Sequence, residues 1–156
     1  MRPLLGPALL IVCTIFVAAC SKEQNQFATI KSEKSVQQIL DDIEFAITER
    51  NFRINNRLHI GKAISERLAS GFPDYEVILF CNLSYAQKML ELAPDYISFC
   101  PQRIAIRDEG HIRVITASLL PDESSNQELN LVTEEINSLV LEIIEFAAKE
   151  WPLLEE

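Results

Sequence analysis

The chain has 156 residues, a formal net charge of −9, and 48% hydrophobic and 24% charged positions, proportions that suit one modest globular domain. Its four glycines, Gly6, Gly61, Gly71 and Gly110, are too scattered to build a glycine-rich phosphate loop or a dinucleotide fingerprint. The acidic balance speaks against nucleic acid as a main partner, because that binding rests on lysines and arginines neutralising phosphates.

Residues 1–20 carry one cation at Arg2, then an apolar run, then small residues ending at Cys20, the pattern of a secretory signal. Pro3, Gly6 and Pro7 at the start, and Ser21, Lys22 and Glu23 directly after, leave a span short of the ~20 residues a membrane-crossing helix needs. Val17-Ala18-Ala19-Cys20 resembles the bacterial lipobox. That resemblance implies a signal peptide over residues 1–19, cleavage before Cys20, and acyl chains such as palmitate on its sulfur and amino terminus. Ser21 stands where an Asp would retain a lipoprotein in the inner membrane, so the expected address is the outer membrane facing the periplasm. Membrane lipid and the lipoprotein sorting machinery are the partners this implies. Residues 20–26 then form a tether of roughly 20 Å at ~3.3 Å per residue, and residues 27–151 a single domain.

Phe27-Ala28-Thr29-Ile30-Lys31 is short and β-inclined, and Ser35 with Gln38 has the spacing of a helix-opening capping box. Val36, Ile39, Leu40, Ile43 and Ile47 repeat at helical spacing, and Asn51 ends that helix. From Phe52 the period becomes two, which places Phe52, Ile54, Leu58 and Ile60 on one strand face and Arg53, Asn55, Arg57 and His59 on the other. Residues 62–69 suit a short helix closed by Gly71. The apolar run Val77-Ile78-Leu79-Phe80-Cys81 predicts a central strand. Ser84 and Gln87 repeat the capping-box spacing ahead of a helix that Pro94 stops. Residues 103–107 and 112–116 alternate about Asp108-Glu109-Gly110-His111, a hairpin with glycine at hand for a positive-φ position. A last helix runs from Gln127 to Glu150, with an apolar stripe over residues 129–147, and Pro152 ends it.

Charge is uneven: residues 117–156 hold ten acids against Lys149 alone, whereas Arg53, Arg57, Arg103, Arg107 and Arg113 fall on predicted strands. Helix acids can remain solvated or pair with sheet arginines within or between subunits. The stripe is also long for one small sheet to cover, which points to a homodimer.

The run Asp42-Ile43-Glu44-Phe45-Ala46-Ile47-Thr48-Glu49-Arg50-Asn51-Phe52, then Phe80-Cys81-Asn82 with Ala86, Leu90 and Pro94, then Pro101-Gln102-Arg103-Ile104-Ala105-Ile106, resembles the domain-of-unknown-function 302 family over about residues 26–120. The resemblance implies an α+β domain in which an antiparallel sheet of four to five strands packs against helices, and homodimers; it implies no reaction. This chain has Asn51-Phe52 where the family has Gly-Phe, Cys81-Asn82-Leu83 where it has Cys-Asn-Pro, and Cys100 before Pro101 where many members place the cysteine after the proline.

For chemistry, His59 and His111 are expected on polar strand faces, and no His-x-x-His, Cys-x-x-Cys or Glu-x-x-His spacing supplies a metal site. No Gly-x-Ser-x-Gly elbow is present, and no catalytic residue, metal or cofactor is assigned. With Cys13 removed and Cys20 lipidated, Cys81 and Cys100 are the thiols left to the mature domain, either joined as a disulfide or separately buried. The expected function is a membrane-anchored envelope lipoprotein acting as a binding or structural module rather than an enzyme. The alternative is a thiol redox or small-ligand-processing protein using Cys81 and Cys100.

Overall fold

The computed structural model describes residues 26–69 and 71–150. The signal segment, Cys20, the tether before Gln26, and Trp151 and Pro152 lie outside the described residues.

β1 (Phe27–Ser32) turns Ala28, Ile30 and Ser32 inward and leaves Phe27, Thr29 and Lys31 exposed. α1 (Val36–Glu49) opens on the expected capping box: Gln38 N–H donates to Ser35 Oγ at 3.2 Å, and Ser35 N–H to Gln38 Oε1 at 3.0 Å. Asn51 follows its end at φ 58°, with its own N–H donating to Thr48 O and Phe52 N–H to Ile47 O. That pair of bonds is the usual closure when a residue past a helix turns left-handed, and it delivers Phe52 into the core.

β2 (Arg53–His59) departs from simple alternation. Its register against β3 (Tyr75–Cys81) shifts between Ile54 and Asn56, a bulge at Asn55. Phe52 and Ile54 lie toward the helices, but beyond the bulge Arg57 and His59 take that side, opposite Ile78 and Glu76, while Leu58 joins Val77 on the other face. One extra residue thus reverses the expected facing of Arg57, Leu58 and His59. α2 (Ile60–Leu68) starts two residues earlier than its pattern suggests, and Ala69, at φ 49°, closes it in place of Gly71. Gly61 is required here by close approach, since a Cβ at that position would sit 2.1 Å from Pro73 O.

α3 (Leu83–Leu92) and a 3-10 turn (Pro94–Phe99) lead into β4 (Gln102–Asp108), which hairpins through Gly110 at φ 84° into β5 (Arg113–Ser118). α4 (Gln127–Ala148) opens on Asn126, whose side chain accepts from the N–H groups of Glu128 and Leu129. The five strands form one antiparallel sheet in the order β1-β5-β4-β3-β2. The α+β architecture is as expected, with one correction: β3 is interior, but the central strand is β4, because the β1 edge pairs with β5 and pushes the middle across by one.

Ile78, Phe80, Ile104, Ile106, Ile115 and Ala117 of the sheet meet α1 and α4 in the core. Most of the α4 stripe that looked too long for one sheet is covered within the chain: Leu129, Ile136, Val140, Ile143 and Ala147 are buried, and Val132, Leu139 and Phe146 are half-buried. Lys34 fastens the two helices together: its ammonium pairs with Asp42 and donates to Ala147 O at 2.8 Å and Lys149 O at 3.1 Å, a cation where the α4 dipole is negative.

A polar residue interrupts the stripe. Asn137 accepts from Leu120 N–H at 2.8 Å and donates to Leu120 O at 2.9 Å, copying a strand partner for the loop that follows β5. Asn137→Leu removes both partners from buried backbone groups and is expected to lower the stability of the fold by about 2 to 4 kcal/mol. A denaturant midpoint equal to the wild type's would refute that role for Asn137.

Candidate functional site

The site is built at the end of β3. Its last residue, Cys81, is followed by Asn82, which caps α3 by accepting from the N–H groups of Ser84 at 3.0 Å and Tyr85 at 3.3 Å. The cap is therefore Asn82, two residues ahead of the serine that the spacing singles out, because a short amide side chain at that point reaches both free N–H groups. The Asn82 amide nitrogen also donates to Asn51 O at 3.0 Å, tying α3 to the end of α1. Every polar atom of this side chain is thus engaged in positioning the chain around Cys81.

From α3 the 3-10 turn returns the backbone to Cys100, which precedes a cis peptide bond to Pro101 and the start of β4. Adjacent antiparallel strands therefore bring together residues nineteen apart in sequence, and the Cys81 and Cys100 sulfurs lie 2.8 Å apart. The two sulfurs are thus in direct contact. Cys81 is buried and Cys100 half-buried. Burial first, then the hydrogen bond with Cys100 and the charge Cys100 can carry, push the Cys81 thiol up to about 12.

Both cysteines border a cavity of about 20 Å³, whose other walls include Phe52, Met89, Phe99, Leu120 and Ile136. That volume admits an atom of the size of a water oxygen and no metabolite. Phe52 is held edge-on to Phe80 at 5.5 Å and stacked on Tyr85 at 6.4 Å, and the Tyr85 hydroxyl donates to Glu135 of α4 at 2.5 Å. Gln102 also lines the cavity, is 8% exposed, and has a side-chain nitrogen with no partner. Among the described residues three other buried side-chain polar atoms lack a hydrogen bond, but they belong to ion pairs: Arg57 Nε and Glu76 Oε2 face each other at 3.5 Å, and Arg113 Nε lies 3.3 Å from Asp108. The Gln102 amide has neither kind of partner. An uncharged glutamine at a strand start attracts no notice in a sequence, and only its burial beside the cavity that the cysteines also line marks it.

The histidines do not join this site. His59 ends β2 with Nδ1 at 2.9 Å and 2.8 Å from the two oxygens of Glu76, beside Arg57, which reaches Glu44 of α1 at 3.2 Å. Arg53, at the other end of β2, is the residue that pairs with Cys81, so His59 stands about 20 Å away at ~3.3 Å per residue. His111 lies exposed in the β4–β5 turn and not on a strand. Among the described residues no three His, Cys, Asp or Glu side chains converge as metal ligands. Sheet arginines pair with Glu44, Glu76, Asp108 and Glu109, whereas α4 contributes Glu142 to Arg50 in the loop after α1. α4 lies across the sheet from Arg103 and Arg107, so its acids do not meet them within the chain.

These features define a single-core α+β domain with a buried thiol pair at one end of its sheet. The model of the family described as "Domain of unknown function DUF302" matches residues 28–146, and the chain belongs to that family. The match extends past the resemblance visible in the sequence to take in most of α4. A crystal structure titled as an uncharacterized conserved protein DUF302 from Bacillus stearothermophilus is similar in fold, with a TM-score of 0.71 at 12% identity, covering 80% of this chain and 99% of that one. No curated protein matches the sequence.

The raised Cys81 thiol carries a stability consequence for the reduced protein. The folded state holds a proton that the unfolded chain releases near pH 9, so Cys81 contributes stability that is complete below pH 9 and is lost as pH climbs toward 12. Comparison of reduced wild type with Cys81→Ala across this range should show the wild type losing the more stability with pH, and parallel curves would count against it.

Proposed function

We propose that this protein is a lipid-tethered envelope domain whose working feature is the Cys81–Cys100 pair, closing and opening as a dithiol and disulfide. The observation that carries the reading is the 2.8 Å between the sulfurs, one at the end of β3 and the other just ahead of β4. The address supports it as well: the lipobox-like Val17-Ala18-Ala19-Cys20 directs the domain to a compartment where disulfides persist. The disulfide, closing a loop of about twenty residues, stabilises the fold by roughly 3 kcal/mol in the chain-entropy model. Thiol counting on denatured, non-reduced protein made through the secretory route tests it. None free, with a Cys81–Cys100 peptide by mass spectrometry and a midpoint that falls on reduction, is the expected result; two free thiols per chain would dispose of it.

The anchor has its own test. An acylated Cys20 peptide is expected from the membrane fraction, together with loss of membrane fractionation in Cys20→Ser. An uncleaved, unmodified amino terminus in that fraction would end the proposal.

A second reading, a binding module that associates with its own copies, rests on the face of the sheet opposite α1 and α4. Half-buried Val77, Leu79, Leu58 and Ala105 form its middle, Lys31, Arg53, Arg103 and Arg107 lie among them, and no strand position on this face is acidic. The exposed Glu134 and Glu145 on the outer side of α4 supply the complementary charge in a second copy. Salt-sensitive self-association in sedimentation is the expected behaviour, and a monomer at tens of micromolar protein sinks this reading.

A further inference from the structure

We infer that Cys100 is a hydroperoxide-reactive site, with Cys81 as the thiol that resolves it and the Gln102 side-chain amide as the donor that holds the oxygen left on Cys100. This deepens the dithiol reading above and rests on it. Three observations meet at one place: two sulfurs in contact, a cavity between them and the core with room for one oxygen atom, and a buried amide nitrogen on the wall of that cavity with nothing to donate to.

An unsatisfied buried donor costs free energy, so a fold that retains one beside a reactive group has a use for it. A water molecule is one occupant of such a space. The sulfenic oxygen of an oxidised cysteine is another, and it differs from water in being delivered to the cavity by the chemistry of the sulfur itself. The two cysteines are not equivalent. Cys81 is 8% exposed, so its sulfur is shielded from an oxidant arriving from solvent. Cys100 is half-buried and is the sulfur that meets a molecule arriving from solvent.

The chemistry closes in two steps. Cys100 sulfur attacks the terminal oxygen of a hydroperoxide; an S–O bond forms, the O–O bond breaks, and the other oxygen leaves as an alcohol or water carrying the thiol's proton. Sulfur is oxidised by two electrons and the peroxide is reduced. Cys81 sulfur, already in contact, then attacks Cys100 sulfur; the S–S bond forms, the S–O bond breaks, and the oxygen departs as water with the Cys81 proton. Two equivalents of an external thiol return the pair to the dithiol, themselves becoming a disulfide. Proximity sets the order of events: with the resolving sulfur in contact, disulfide closure outruns a second peroxide attack.

The test uses purified full-length protein, reduced and freed of reductant, with hydrogen peroxide as the oxidant and dimedone as the trap for sulfenic acid. In Cys81→Ser the trap should label Cys100, while the wild type passes to the Cys81–Cys100 disulfide with little label. Adding Gln102→Leu to Cys81→Ser replaces an unpaired amide with an apolar group of similar size, so the fold should be retained. The labelled fraction should fall between about twofold and tenfold, the range one hydrogen bond is worth. A diamide arm separates the two proposals. If diamide closes the disulfide but peroxide neither labels Cys100 nor closes it, the peroxide site is wrong and the dithiol stands. If diamide fails as well, both fall. Label on Cys81 in Cys100→Ser equal to that on Cys100, or label unchanged by Gln102→Leu, overturns the roles assigned here.

Discussion

Everything in this fold depends on a sheet that is covered on one side only. Ile104 and Ile106 of the central strand, Ile78 and Phe80 beside them, and Ile115 and Ala117 on the far side present an apolar surface that α1 and α4 bury completely. Burial of each large side chain is worth about 1.5 to 3 kcal/mol, whereas the exposed ion pairs contribute about 0 to 1 kcal/mol each. Apolar packing decides the positions of α1 and α4, and the polar contacts adjust what is left.

The thiol site is a product of that arrangement. α1 and α4 run over the sheet, and the end of β3 is closed by α3, the 3-10 turn and the loop after β5. Two asparagines hold these pieces. Asn82 ties the start of α3 to the end of α1, and Asn137 ties the loop at Leu120 to α4. Both satisfy backbone groups that burial would otherwise leave without partners, which is why amides rather than apolar residues stand at these points. The result is a largely apolar corner in which the two thiols meet beside the Gln102 amide. Low polarity is what keeps the Cys81 proton in place and what gives a single hydrogen bond there more weight than it has in water.

The opposite face of the sheet shows how a strongly acidic protein can still carry a basic surface. Alternation along three strands collects Lys31, Arg53, Arg103 and Arg107 on the side away from α4, while the acids of α4 face outward on the other. Net charge describes neither surface. The bulge at Asn55 works the other way for Arg57 and His59, moving them off that face to sit with Glu44 and Glu76. A one-residue irregularity in β2 thereby settles which cations lie on that face.

Much was legible in the sequence because local physics is enough to write it. The Ser35–Gln38 capping box, the left-handed Asn51, the Gly110 hairpin and the apolar stripes of α1 and α4 each involve neighbours within a turn or two, and the α+β class follows from their order. The family resemblance and the two unassigned thiols, Cys81 and Cys100, were legible as well. What the sequence left open were the matters settled by residues distant along the chain. A bulge is a mismatch between two strands, so β2 alone cannot reveal it. The centre of the sheet depends on which strand β1 joins, the cover of the α4 stripe on α1 folding back over it, and the burial of Gln102 on the packing of the segments around the end of β3. Composition and periodicity determined the elements and the fold class; tertiary packing alone decided that Cys81 and Cys100 touch, since contact between residues nineteen apart exists only once β3 and β4 have paired and the segment between them has been folded down.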